Sequence, residues 1–283
     1  MAPESKVASP DTLSIDAFND ALARYPTLIE NIDASKATTA KNTLKELDTF
    51  RYNEAPALFS VDKPKQEMEH DDVKTLVEWK LRHGKFRPTL MKLVSDNDPS
   101  FVKETIRNAI QIYRKAKSNP QPALDVLVKL RGIGPATASL LLNVHDPDQV
   151  IFFSDEAFYW LCGGGQKVPL KYNAKEYVAL REAAAKLQKR LDVSATDVEK
   201  VAYVLFKAPD AEPSKSAPSG RKGSAASKKA SADQGKAESS DQSELSPIRD
   251  TKAPKTTTKR KPEVGPQSGD DKSGVRRSKR TRA

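Results

Sequence analysis

The aromatic residues of this 283-residue chain are confined to its first 207 residues. All nine Phe, seven Tyr and two Trp lie there, whereas residues 208–283 contain no aromatic side chain and only four large aliphatic ones. A segment this poor in apolar side chains cannot bury enough surface to offset the entropy that it would lose on ordering. We therefore predict one folded domain over residues 1–207 and a disordered tail over residues 208–283.

The positive charge of the chain is concentrated in that tail. The whole chain has 48 Lys and Arg against 38 Asp and Glu, a net charge of +10. Residues 208–283 hold 18 of these cations and 10 of the acids, a net of +8, which leaves +2 for the first 207 residues. A basic tail of this kind favours loose contact with nucleic acid.

Two basic clusters in the tail are typical of a bipartite nuclear import signal. They read TKRKPEV at residues 258–264 and RRSKRTRA at residues 276–283. We therefore expect the protein in the nucleus, with a nuclear import receptor among its partners. The receptor-binding side chains would be Lys259, Arg260, Lys261, Arg276, Arg277, Lys279 and Arg280.

Hydrophobic periodicity in the first 207 residues predicts an all-α fold. Apolar residues recur at helical spacing in nearly every segment, and a strand-like run is confined to residues 150–153. The stretch 52–67 is predicted to be a loop. The predicted helices span residues 15–24, 37–50, 71–82, 88–95, 99–115, 120–130, 135–145, 155–161, 174–191 and 195–206.

The sequence LRGIGPATASLLL, at residues 130–142, places two glycines between two apolar helical segments. Glycine allows the positive φ and the close backbone approach that a sharp turn demands, and Pro135 suits the first residue of the next helix. The side chain of Ile133, which lies between Gly132 and Gly134, would insert into the core. Unpaired amides at the helix start attract anions, and a DNA phosphate fits there without any reading of base sequence. A turn used only for packing is the alternative.

Residues 123–145 resemble the helix-hairpin-helix motif of DNA repair proteins. The following sequence VIFFSDEAFYW, residues 150–160, resembles the segment of base-excision glycosylases that joins this motif to an active-site aspartate. With LVEWKLRHGKFRP at residues 76–88, the chain is also similar to the Amun-type eukaryotic nuclear proteins. The resemblance implies a helix-hairpin-helix DNA-glycosylase-like fold. It places DNA backbone contacts at Gly132, Ile133, Gly134, Ala136 and Thr137.

The same resemblance gives Asp155 the role of the catalytic carboxylate, with Glu156 as its neighbour and fallback. Such a carboxylate stabilises the positive charge that develops on the sugar, and it orients a water molecule. However, Ser154, Asp155 and Glu156 also form an ordinary helix start, so a capping role alone remains open. Bifunctional relatives carry a Schiff-base lysine where this chain has Ala136. The implied enzyme is therefore a monofunctional DNA glycosylase of base-excision repair.

Four cations within eight residues surround Gly84, and they predict a second contact with the DNA backbone. A solvated helix end is the competing interpretation of this cluster. The four cations are Lys80, Arg82, Lys85 and Arg87.

In the aromatic cluster around Asp155, Tyr159 is the candidate for a base-pocket role.

Metal and membrane sites are not expected. The three histidines lack metal-ligand spacing, and the single Cys162 cannot build a four-thiolate centre. We therefore predict no metal and no cofactor. No stretch approaches the about 18 apolar residues of a membrane helix, so we expect no membrane partner.

Two other function classes remain open at this point. The chain could be a non-catalytic DNA or chromatin adaptor with the same fold, or a protein-interaction module that uses the hairpin as a packing surface. A cleft that reaches Asp155 favours the enzyme. A buried Asp155 that only caps a helix favours the adaptor.

Removal of residues 208–283 is expected to weaken general DNA binding and to abolish nuclear enrichment, while the first 207 residues still fold. Each lost phosphate contact lowers the slope of log affinity against log salt by about 0.9. Anisotropy titrations across a salt series and microscopy of a tagged chain measure the two effects. An unchanged slope together with an unchanged nuclear signal would contradict the role given to the tail.

Overall fold

A computed structural model of the protein describes residues 7–35, 42–116 and 119–208. These residues form helices and no strand, which confirms the all-α prediction. The strand-like run at residues 150–153 is a buried segment that is neither helix nor strand. The predicted disordered tail beyond Ala208, with both basic clusters, lies outside the described residues.

Eleven α-helices and one π-helical turn make up the described secondary structure. The π-helical turn Phe50–Glu54 lies between the second and third helices. In chain order the helices are α1 Ile15–Ser35, α2 Leu44–Thr49, α3 Ala55–Phe59, α4 His70–His83, α5 Leu90–Ser95, α6 Pro99–Lys115, α7 Gln121–Leu127, α8 Pro135–His145, α9 Asp155–Leu161, α10 Ala174–Leu191 and α11 Ala195–Lys207.

The first helix is longer than predicted. Proline lacks the N–H of a helical hydrogen bond and usually ends a helix, which is why the sequence favoured an end at Arg24. Instead α1 continues through Pro26 to Ser35. Tyr25 and Ile29, on either side of the proline, are both buried, and α1 packs along α11. Packing against α11 therefore stabilises the helix beyond Pro26.

The stretch 52–67 was expected to be a loop, and this is wrong for its first part. The π-helical turn leads directly into α3, and Pro56 lies in the first turn of that helix. A buried ion pair secures the π-helical turn. The Arg51 guanidinium lies 3.1 Å from the Glu199 carboxylate, and Tyr52 donates a hydrogen bond to the same carboxylate at 2.8 Å.

Two other boundaries differ from the sequence prediction by three residues or more, and the remaining differences are of one or two residues. The helix predicted over residues 37–50 is described as α2 from Leu44 only, and residues 37–41 lie outside the described part. The helix predicted to end at residue 130 ends at Leu127, and residues 128 and 129 form a turn instead.

Helix α8 is the centre of the domain. Every residue from Ala136 to His145 is buried. A helix that is apolar on all sides must be surrounded, and α8 packs against α3, α4 and α7. Its carboxyl end is fixed by His145, whose Nδ1 lies 2.5 Å from the carbonyl oxygen of Phe59.

The His145 ring makes folding stability depend on acidity. Burial lowers its pKa to about 4, from the usual value of about 6.5. Between these values the unfolded chain binds more protons than the folded chain does. The free energy of unfolding that the neutral His145 ring contributes is therefore fully present above pH 6.5, and it is lost as the pH falls toward 4. The loss amounts to about 3 kcal/mol. Urea unfolding of His145→Gln at a series of pH values should show a shallower decline over this window than the wild type. Equal declines would contradict the assignment.

Candidate functional site

The turn between α7 and α8 is packed tightly against α5 at its first glycine. Gly132 has a φ of +78°, and a Cβ built on it would lie 3.0 Å from both Leu93 Cβ and Val94 Cγ2. Ile133 is buried and donates its backbone N–H to Leu130. Gly132 is therefore required both by the backbone conformation and by the space available.

The second glycine of the turn lies in a different environment. Gly134 is the N-cap of α8 with an extended φ of −91°, and a Cβ built there would meet nothing within 4 Å. Within the described part of the chain no side chain caps this helix end, and Pro135 has no N–H. The first amides of α8, at Ala136 and Thr137, therefore lie at an uncapped helix start, whose positive dipole end favours an anion.

Asn97 anchors this turn. Its Oδ1 accepts the backbone N–H of Arg131 at 2.8 Å, and its Nδ2 donates to the Arg131 carbonyl at 2.9 Å. The same Nδ2 also donates to the carbonyl of Val94. Because Asn97 is buried just after α5, these bonds fix the turn to that helix.

A buried hydroxyl links the start of α8 to the segment that precedes α9. Ser139 donates to the carbonyl of Ala136 at 2.9 Å and accepts the backbone N–H of Phe153 at 2.9 Å. Tyr177, on α10, donates to the carbonyl of Ile151 at 3.1 Å. The segment of residues 150–154 is therefore fixed by contacts with both α8 and α10, and it brings Asp155 to the start of α8.

Asp155 does not cap its own helix. The Ser154 hydroxyl accepts the N–H of Ala157 and fills that role. The Asp155 carboxylate instead accepts a hydrogen bond from the Tyr172 hydroxyl and lies 3.1 Å from the Lys85 amine. This hydrogen-bonded contact raises the pKa of Lys85. The two partners hold the carboxylate in one orientation.

Asp155 faces a cleft of about 420 Å³. The walls come from the loop after α4, the turn before α8, the start of α9 and the segment before α10. Among the residues that the structure describes, five cations and two carboxylates line the cleft, a formal net charge of +3. The cations are Lys80, Lys85, Arg87, Lys167 and Lys207, and the carboxylates are Asp155 and Glu156.

The cleft brings together most of the site residues that the sequence singled out. Ile133 lies beneath the surface and is 4% exposed, and Arg82 is directed elsewhere, toward the Asn42 carbonyl and Glu78. Tyr159 lines the cleft, whereas Trp160 is core and donates to the carbonyl of Ala8. The predicted residues that line it are Lys80, Lys85, Arg87, Gly132, Gly134, Ala136, Thr137, Asp155 and Glu156.

Other cleft residues were not predicted. Tyr172 holds Asp155 from a backbone with a φ of +54°, a conformation that no sequence pattern signals for tyrosine. Lys207, at the end of α11, lies 3.0 Å from Glu156. His83 lines the cleft and stacks between Trp79 and Tyr203, at ring distances of 4.4 Å and 3.7 Å.

Lys80 differs from the other cleft cations. Its amine has no hydrogen bond or ion pair within residues 7–35, 42–116 and 119–208, although its side chain is half-buried. Burial lowers the pKa of Lys80 to about 8. The neighbouring Arg87 lowers this pKa further, and Asp155 opposes the change.

The described part of the chain contains no group of three or more His, Cys, Asp or Glu side chains that could hold a metal ion. None of its helices has the length and apolar character needed to cross a membrane.

Comparison with known proteins gives no relative. No protein-family model matches the chain, and neither a curated protein nor a solved structure matches it.

Proposed function

We propose that the protein is a nuclear DNA-binding protein with a helix-hairpin-helix DNA-glycosylase-like fold, which acts in base-excision repair. In this proposal it releases a base by water attack, with Asp155 as the carboxylate. One observation carries the proposal: a single cleft contains the uncapped start of α8, an excess of cations and the Asp155 side chain. Each of the three has a separate task in the reaction.

Contact with the DNA backbone is assigned to the start of α8. A phosphate oxygen would approach the amides after Gly134, where no side chain blocks the helix dipole. Lys85 and Arg87, both exposed, would contact neighbouring phosphates along the rim. Phe86 lies between two of these cations and is 74% exposed, which suits stacking on a base. These contacts bind the backbone without strong sequence preference.

The chemistry is assigned to Asp155. A flipped nucleotide would enter the cleft, where Tyr159 is the candidate for contact with the base. As the bond between C1′ and the base nitrogen breaks, positive charge develops on the sugar and the nearby carboxylate stabilises it. Water then adds at C1′ and its proton leaves, while the departing base is protonated. Tyr172 positions the carboxylate through its hydrogen bond.

The position of Asp155 favours the enzyme over the non-catalytic adaptor. Ser154 supplies the capping oxygen of α9, so the helix start does not need the Asp155 carboxylate. That carboxylate is 17% exposed and opens into the cleft. A role limited to capping leaves this arrangement without an explanation.

Gly134→Ala is expected to lower affinity for duplex DNA about tenfold, a factor that corresponds to the loss of roughly one hydrogen bond to a charged group. The new Cβ has space in the free protein, and φ is −91°, so the fold should be unchanged. Anisotropy with intact duplex and with an abasic-site analogue measures binding. Val128→Ala, at the other end of the turn and outside the cleft, is the control. Wild-type affinity in Gly134→Ala would show that these amides hold no phosphate.

Asp155→Asn is expected to slow base release about a hundredfold or more, because it removes the charge that stabilises the transition state. The free energy of unfolding should change by less than about 1 kcal/mol, since Ser154 retains the cap. Single-turnover assays on alkylated, deaminated and oxidised duplexes measure the rate.

Asp125→Asn, at an exposed position of α7, is the matched control and should behave as the wild type. If the wild type releases no base from any duplex while both proteins bind DNA equally, the adaptor function replaces the enzyme.

A further inference from the structure

The Lys80 amine is placed to act as a nucleophile. It lies in the last turn of α4 and lines the same cleft as Asp155. The side chain is half-buried, and the amine has no hydrogen bond or ion pair to any described residue. Burial without a partner disfavours the charged ammonium, and a second cation nearby adds to this effect. With a pKa of about 8, a substantial fraction of the amine is neutral near physiological pH.

The other cleft cations lack this combination. Lys85 is paired with Asp155 and Lys207 with Glu156, while the Arg87 guanidinium lies 5.7 Å from the centre of the Tyr172 ring. Lys167 is exposed to water. Lys80 therefore combines a half-buried position with an amine free of ion pairs.

A desolvated lysine beside another cation is the usual form of an amine that attacks carbonyl groups. The proposed base release leaves a sugar whose ring-opened form carries an aldehyde at C1′. We propose that the Lys80 amine forms an imine with this C1′ aldehyde, so that the cleft also acts on abasic sites. The inference rests on the proposed function, because that reaction delivers the aldehyde to the cleft.

The step balances without an added oxidant or reductant. The Nζ lone pair attacks C1′ and one N–H proton moves to the oxygen, which gives a carbinolamine. A further proton converts that hydroxyl into water, which leaves, and a protonated imine remains. The imine acidifies C2′, so loss of a C2′ proton allows the C3′–O bond to break with the phosphate as leaving group. Asp155 is the carboxylate of the same cleft that can accept this proton.

The absence of an amine at Ala136 does not exclude this chemistry. Ala136 presents a methyl group to the cleft and is 8% exposed, while Lys80 reaches the same space from α4. The nucleophile would therefore come from a different helix than the one the sequence resemblance indicates.

Trapping with cyanoborohydride tests the proposal directly. The full chain is incubated with an end-labelled duplex that holds one abasic site, prepared beforehand by excision of uracil with a separate enzyme. Reduction converts an imine into a stable amine link, which a denaturing gel resolves and peptide mass mapping locates. We expect the wild type to be linked at Lys80.

Lys80→Arg keeps the charge but not the nucleophile. The amount of covalent adduct should therefore fall at least about tenfold, while the affinity for duplex DNA is retained. Lys74→Arg, on the same helix and paired with Asp71 outside the cleft, should trap as the wild type does. The trapping rate should rise with pH and level off above about pH 8, because the neutral amine then predominates.

Three results would overturn the proposal, and they are distinguishable from failure of the proposed function. They are no adduct in a wild type that binds the abasic duplex, an undiminished adduct in Lys80→Arg, and a rate that still climbs toward pH 10. The last two indicate a surface lysine. Failure to bind any duplex would overturn the proposed function as well, and anisotropy reports it separately.

Discussion

The burial of α8 on all sides is the constraint on which the rest of the domain depends. A helix enclosed from Ala136 to His145 meets solvent only through its ends, so every surrounding helix must fit around it. Its amino end opens into the cleft, and its carboxyl end is held by the contact between His145 and Phe59. The Ser139 hydroxyl, on this helix, sets where residue 153 lies and therefore where Asp155 begins α9. The geometry of the site is thus a consequence of core packing.

Local chemistry made much of the fold predictable. Helices α6, α8, α9 and α10 begin and end where the sequence indicated, because Asp98, Ser154 and Asn173 are strong N-cap residues and prolines mark two of the starts. Long-range packing decided the rest. Neither the continuation of α1 through Pro26 nor the π-helical turn follows from nearby residues, since both depend on what α11 buries.

The candidate site was predictable to the same extent and for the same reason. The glycine turn and Asp155 were singled out together by the resemblance over residues 123–160, and one cleft contains both. Arg82 was grouped with its cationic neighbours, but residues two apart on a helix do not face the same way, and only Lys80 of that pair lines the cleft. Tyr172 escaped prediction because its role depends on an unusual backbone conformation and on a contact 17 residues away.

The two glycines of the turn leave the chain unequal freedom to vary. At Gly132 any side chain would have to displace α5. The cleft residue Leu90 lies on that same helix, so a substitution at position 132 would also alter the cleft wall. At Gly134 the space is open and the backbone is ordinary. A lineage of such proteins can therefore change the side chain at position 134, and with it the surface at the start of α8, while the domain around it stays the same. At position 132, by contrast, even the smallest side chain requires α5 to shift.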